Sequence, residues 1–267
     1  HVSEVREDLF AEQGALDRIV ADLGEEQWDL ATPSPRWSVA DQIGHLAYFD
    51  EAAAIAIADP ETFADLAFDL MASLSPQAEA TALDDATLEG YRALSASELL
   101  AAWRSGRDSL AHAASHLDDD TRVMWFGPSM GSKSFLTARL METWAHGQDI
   151  VDTLGAVRPA TDRLRHIAQL GYITRGWSYL NRGLEVPDTS VRVELVAPSG
   201  DAWIFGPDDA VDSVVGESEA FCLVVTQRRH GDDTELVLNG SATRDWLEKA
   251  QVFAGGASDG PAAGALR

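Results

Sequence analysis

The chain has 267 residues, with 20 Lys+Arg against 44 Asp+Glu and a formal net charge of −24. Nucleic-acid affinity comes mainly from Lys and Arg neutralising phosphates, and a field of this sign repels polyanions and anionic leaflets, so nucleic-acid and membrane-surface roles are excluded. With 45% hydrophobic and 24% charged residues the composition is globular, and at about 150 residues per domain the length predicts one large or two modest domains. The single cysteine, Cys222, leaves no internal disulfide framework and fits a reducing compartment. The segment HVSEVREDLF lacks the basic-then-apolar pattern of a secretion signal, and no apolar run approaches the roughly 18 residues of a membrane span. The expectation is a soluble, acidic, cytoplasmic protein.

In chain order, Val5, Leu9, Leu16, Ile19 and Leu23 recur at three- and four-residue steps and predict a first helix. The segment ATPSPRWS follows; its two prolines force an extended loop. Ser38 is a good N-cap with Asp41 three residues on, so a second helix starts there, its stripe formed by Val39, Ile43, Leu46 and Ile57. A further helical stretch is expected near Glu61 to Leu74, another at Ser97 to Leu117, and a long one from about Ser134 to Leu154 with Gly155 at its left-handed end. Four long helices within about 155 residues are what a bundle needs.

After Pro159 the pattern changes. A helix is expected from Thr161 to about Tyr179, closed by Gly183. SVRVELVAPSGDAWIF reads as two alternating strands around a turn, and FCLVVTQ reads equally as buried strand or buried helix. TELVLNG reads as a strand and SATRDWLEKAQVF as a terminal helix. The expected fold class is a mixed α and α/β chain, with a helical domain over 1–158, a smaller α+β domain over 159–255 and a flexible tail over 256–267.

Several constellations bear on chemistry. Glu142 and His146 are four apart in METWAHGQDI, one turn apart on one helix face, where a carboxylate and an imidazole can share a metal ion. His45 in the second helix can supply a third ligand. Two histidines and one carboxylate leave coordination positions open, as catalytic metals require. The alternative is a solvated face: Leu136, Leu140, Trp144, Val151 and Leu154 form the apolar stripe of that helix, and Glu142, His146 and Asp149 lie opposite with Phe135 and Arg139. His112 and His116 are a rival pair at the same spacing, expected to face water. GPSMG matches the G-x-S-x-G elbow around Ser129, but with only helix predicted upstream it reads as a turn. Arg228 and Arg229 beside His230 are a cationic spot in an acidic chain, suited to a substrate carboxylate or to balancing Asp232 and Asp233. Cys222, in an apolar run, reads as a small buried hydrophobe.

PSPRWSVADQIGHLAYFD, with its Pro-rich loop, Trp and D-x-x-x-H-L helix, resembles the first metal-histidine segment of the DinB-like, mycothiol-dependent maleylpyruvate isomerase family. METWAHGQDI resembles that family's E-x-x-x-H-G-x-D helix, and FCLVVTQRRH through WLEKAQVFAG is similar to the small C-terminal domain of one metal-binding subgroup. The resemblance implies an N-terminal DinB-like four-helix bundle and a divalent ion on His45, Glu142 and His146, with zinc first and iron or nickel next. A carboxylate at position 142, where many DinB-like proteins carry a third histidine, implies the mycothiol-dependent branch and mycothiol as cosubstrate.

The expected enzyme is thus a metal-dependent isomerase or thiol S-transferase in which a metal-bound thiol loses its proton near neutral pH and attacks a small carbonyl or carboxylate-bearing substrate. Asp149 would orient His146, Arg228 or Arg229 would hold a substrate carboxylate, and Trp37, Trp125 and Trp144 are candidate pocket walls. A thiol-independent hydrolase, lyase or cyclase on the same site is the alternative.

Overall fold

The computed structural model describes residues 1–74 and 81–266. It forms two compact units, His1–Val157 and Arg158–Arg267.

The first unit runs α1 (Val2–Val20), α2 (Glu25–Trp28), α3 (Val39–Ala58), α4 (Pro60–Ser73), α5 (Thr81–Arg92) and α6 (Ala96–Ala114). A short antiparallel hairpin follows, β1 (Arg122–Val123) with β2 (Met130–Gly131), and then α7 (Ser132–Leu154). The caps explain the boundaries. Ser38 Oγ accepts from the Asp41 amide while the Asp41 carboxylate accepts from the Ser38 amide, so two amides that the first helical turn leaves without partners are satisfied reciprocally. Ser95 and Glu98 do the same for α6. Gly155 ends α7 at φ 60°, a conformation that is free only to glycine.

Helices α1, α3, α6 and α7 form the expected four-helix bundle: α3 packs on α6 and α7, and α1 packs on α7 and α6. Leu16, Ile43, Leu46, Trp103 and Ile150 meet in its core. One buried carboxylate joins all four helices. Asp50 of α3, fully buried, accepts from Gln13 of α1 at 2.9 Å, Trp103 of α6 at 3.2 Å and Arg139 of α7 at 2.8 Å. A buried charge is tolerable only when paired and hydrogen-bonded in this way, so the cluster fixes the register of the bundle. It also settles the face of α7 that carries Glu142 and His146. Phe135, Arg139 and Asp149 there are all buried, and the solvated-face alternative is set aside.

The second unit runs α8 (Leu164–Ile173), α9 (Arg175–Leu180), β3 (Val191–Val196), β4 (Ala202–Phe205), β5 (Asp212–Glu217), α10 (Ser218–Val225), β6 (Val237–Asn239) and α11 (Ser241–Lys249). Its sheet order is β4-β3-β5-β6, with β3 and β5 parallel and the outer pairs antiparallel. The single helix expected over 161–179 is broken at Thr174, whose hydroxyl donates to the Leu170 carbonyl of the turn before it. Strand β5 was not anticipated. FCLVV resolves as helix α10, with Phe221, Cys222, Val224 and Val225 buried. Segment 256–266, expected as a flexible tail, carries bonds to this unit: Ser258 exchanges hydrogen bonds with Gln227 and Gln251, and Arg182 pairs with Asp259 at 2.7 Å.

Candidate metal centre

The spacing of α7 places Glu142 and His146 one turn apart, and the Asp50 register brings His45 of α3 opposite them. Glu142 Oε2 lies 3.0 Å from His146 Nε2 and 3.4 Å from His45 Nε2. One ligand atom from each residue falls within 4.8 Å of the others, the one such group among the described residues. Donors about 2.1 Å from a tetrahedral ion stand about 3.4 Å apart, so the set has the size and the nitrogen–oxygen chemistry for a divalent transition metal. The three side chains keep 16%, 22% and 12% exposure for His45, Glu142 and His146, which leaves the centre reachable from outside.

The electrostatics suit ligation. Burial, reinforced by the neighbouring His146, pushes the His45 imidazole down to about 4, with Glu142 opposing. Burial works against the Glu142 carboxylate, yet hydrogen bonds from His146 and His45 outweigh it and hold the group well below the usual carboxylate range. A neutral imidazole and an ionised carboxylate are the forms that bind metal.

Other groups surround the ligands. The Trp37 ring stacks on His146 at 5.5 Å and tilts over His45 at 5.0 Å. Asp84 of α5 accepts from the Trp37 side chain; burial raises its carboxyl above the usual range, and that bond opposes the rise. Arg36, next to Trp37, has φ 70°, and its Nη2 is shared between both Asp85 oxygens at 3.0 and 3.1 Å. On the other side Phe49 lies 4.7 Å from His45 and joins Trp125 and Phe126 of the hairpin loop, with Phe63 stacked on Trp125. Of the expected walls, Trp37 and Trp125 are therefore placed near the ligands, whereas Trp144 is a buried core residue.

Asp149 is buried and one turn beyond His146, but the contact of His146 Nδ1 is Gln42 Oε1 at 2.6 Å. Gln42 in turn donates to Asp149 at 3.2 Å. Gln42, Asp84 and Phe49 were not singled out in the sequence; a lone Gln or Asp on a helix carries no motif, and Phe49 reads as core. His112 and His116 are exposed and meet edge to face, with ring centroids 5.3 Å apart. Ser129 is exposed and paired with Arg122, on a two-stranded antiparallel hairpin, so no parallel sheet underlies an elbow. In the second unit Arg228 and Arg229 are half-buried, donating to the Thr226 and Arg228 carbonyls at 2.7 and 2.6 Å, and Cys222 is buried, its thiol pushed well up by burial.

A four-helix bundle with a His/Glu/His cluster between two facing helices, followed by a small α+β unit, defines the chain as a DinB-like protein with a candidate metal centre. The family model described as mycothiol maleylpyruvate isomerase N-terminal domain matches residues 9–151, and the chain belongs to that family. Uncharacterized proteins from two strains of Mycobacterium tuberculosis are each 44% identical over 248 residues, covering 93% of this chain and 94% of theirs. Solved structures of mycothiol-dependent maleylpyruvate isomerase and of a point mutant of it superpose with a TM-score of 0.56 at 18% and 16% identity, covering 85% of this chain and 90% of theirs. At that identity the likeness is one of fold.

Proposed function

We propose that this chain is a metal-dependent isomerase or thiol S-transferase that uses mycothiol or a related thiol on a small carbonyl or carboxylate-bearing substrate. The observation that carries the reading is the convergence of His45, Glu142 and His146, in a chain of this family, into a donor set of three with the spacing and nitrogen–oxygen chemistry of a metal site. His45, Glu142 and His146 would hold the divalent ion, zinc in the first place and iron or nickel otherwise. Such an ion lowers the proton affinity of a bound thiol and so supplies a thiolate near neutral pH.

The residues around it have their own tasks. Three protein ligands leave room for a small molecule beside them. Trp37 and Phe49 flank the histidines with apolar faces that exclude water. Arg228 and Arg229 are proposed, on their chemistry, as carboxylate-binding cations, to be tested by Arg228→Ala and Arg229→Ala one at a time. No helix of the described residues is long and apolar enough to cross a membrane, and we place the protein among cytoplasmic enzymes of small molecules.

The test is elemental analysis of the purified protein, followed by chelation, reconstitution with zinc, iron or nickel, and turnover with and without mycothiol. His146→Ala should lose both metal and turnover. Full activity in the metal-free variant would overturn the proposal, and turnover that needs no thiol would replace it with a hydrolase, lyase or cyclase on the same ligands.

A further inference from the structure

The hydrogen bonds around Gln42 have a direction, and the direction can be worked out atom by atom. The Thr32 hydroxyl donates its proton to the Trp37 carbonyl at 2.9 Å. Its oxygen then has only lone pairs to offer, and the Gln42 Nε2 3.0 Å away must be the donor. Asp149, as a carboxylate, also only accepts; its Oδ2 receives the Ser34 hydroxyl at 2.9 Å and the same Gln42 Nε2 at 3.2 Å. Two acceptors on one side fix the amide. Gln42 Oε1 therefore points at His146 Nδ1, 2.6 Å away, where an oxygen without a proton tolerates only an N–H. Gln42 is fully buried, so water cannot compensate for a flipped amide, which would leave three polar groups mismatched.

We infer that Gln42 fixes the His146 tautomer by keeping a proton on Nδ1, and that Asp149 acts on His146 through Gln42. Nε2 is then the atom that faces Glu142 and His45 and that an ion would take. Gln42 and Asp149 are positioning residues: they set which nitrogen can ligate. Thr32 and Ser34 make the Pro-rich loop the frame for that choice. The purpose assigned to the tautomer rests on the metal reading above; the tautomer itself follows from the hydrogen bonds.

The decisive experiment is nitrogen-15 NMR of the His146 imidazole in full-length protein, with and without zinc, alongside zinc affinity by chelator competition. Wild type should show the proton on Nδ1. Gln42→Leu should lose that signature and bind zinc about 10- to 100-fold more weakly, the usual effect of removing a partner behind a ligand. Gln42→Glu, which still offers an acceptor to Nδ1 though no donor to Asp149 or Thr32, should keep the Nδ1 proton. Should Gln42→Leu fail to fold, Asp149→Asn decides: an amide at 149 can donate as well as accept, so the Gln42 amide is freed to turn and the tautomer becomes mixed. A wild-type imidazole with no proton on Nδ1, or unchanged tautomer and affinity in the folded Gln42→Leu and Asp149→Asn proteins, would overturn the inference. A wild-type protein that binds no zinc but keeps its Nδ1 proton would sink the metal reading and leave the positioning intact.

Discussion

Two pairs of residues in this chain share the same helical spacing and have opposite fates. Glu142 and His146 on α7, and His112 and His116 on α6, each stand four residues apart, so each pair projects from one face one turn apart. The first meets His45 from the facing helix, with Gln42, Trp37 and a neutralised Asp50–Arg139 pair packed around it. The second faces water, its two rings edge to face. The difference lies in what surrounds the spacing. Spacing brings two donors together, whereas a third donor on another element and a layer of buried partners hold them in ligating form. Such a layer exists on α7 because both of its faces are buried.

The contrast can be broken most completely at the ligands. Glu142→Ala should eliminate bound metal, whereas His112→Ala and His116→Ala should leave metal content unchanged and stability within about 0.5 kcal/mol; elemental analysis and thermal melts of the three proteins measure this. Next comes the lock beneath the site. Asp50→Ala leaves Arg139 as a buried charge without its carboxylate, and should cost about 3–5 kcal/mol in denaturant melts. Any protein that remains folded should bind metal more weakly, because α3 and α7 lose their common register.

A smaller effect is expected at Gly44, beside His45. A methyl group there would come within 3.1 Å of Tyr91 Cβ and 3.2 Å of Leu88 Cδ2, so Gly44→Ala should push α5 from α3 and cost about 1–3 kcal/mol. Equal stability in urea titrations would mean that α5 can yield. The mildest test acts where α1 meets α6. Hydrogen bonds from Arg104 and Arg107 hold the Asp17 carboxyl below its ordinary 3.8, against the opposing effect of burial. The folded state thus binds this proton less readily than the unfolded one, and the contribution of the group is present above 3.8 and disappears as pH falls through that range. Asp17→Asn should flatten this acid limb of the stability curve without altering metal content.

How much was legible in the residues follows the same contrast. Helices α3 and α7 announce themselves through Ser38 with Asp41 and through Gly155, because caps are local chemistry. The His45, Glu142 and His146 cluster was legible as a candidate because two of its members share a helix face and His45 stands on another helix of the same bundle, a set that the family resemblance then singled out. Helix α5 was not, since TALDDATLEGYR buries little beyond Thr87 and Leu88 and so carries no apolar stripe. FCLVV stayed ambiguous because a segment buried all round has no period to read, and β5, DSVVGE, carries two adjacent valines among polar and Gly positions and so shows no alternation. Gln42 lay hidden on an apolar helix; only its neighbours in space, Thr32 from the loop and Asp149 from α7, give its amide a meaning.

Arg36 carries one last consequence, a mechanical one. A non-glycine residue in the left-handed region costs about 1–2 kcal/mol, and here the backbone is held there by a side chain anchored on Asp85 of the neighbouring helix. Asp85 is itself gripped by Arg92, which also binds Asp41 at the start of α3. The loop is therefore a tensioned strap between α5 and α3. A displacement of α5 is passed along this linkage to the residue before Trp37, and from that ring to both imidazoles on which it rests.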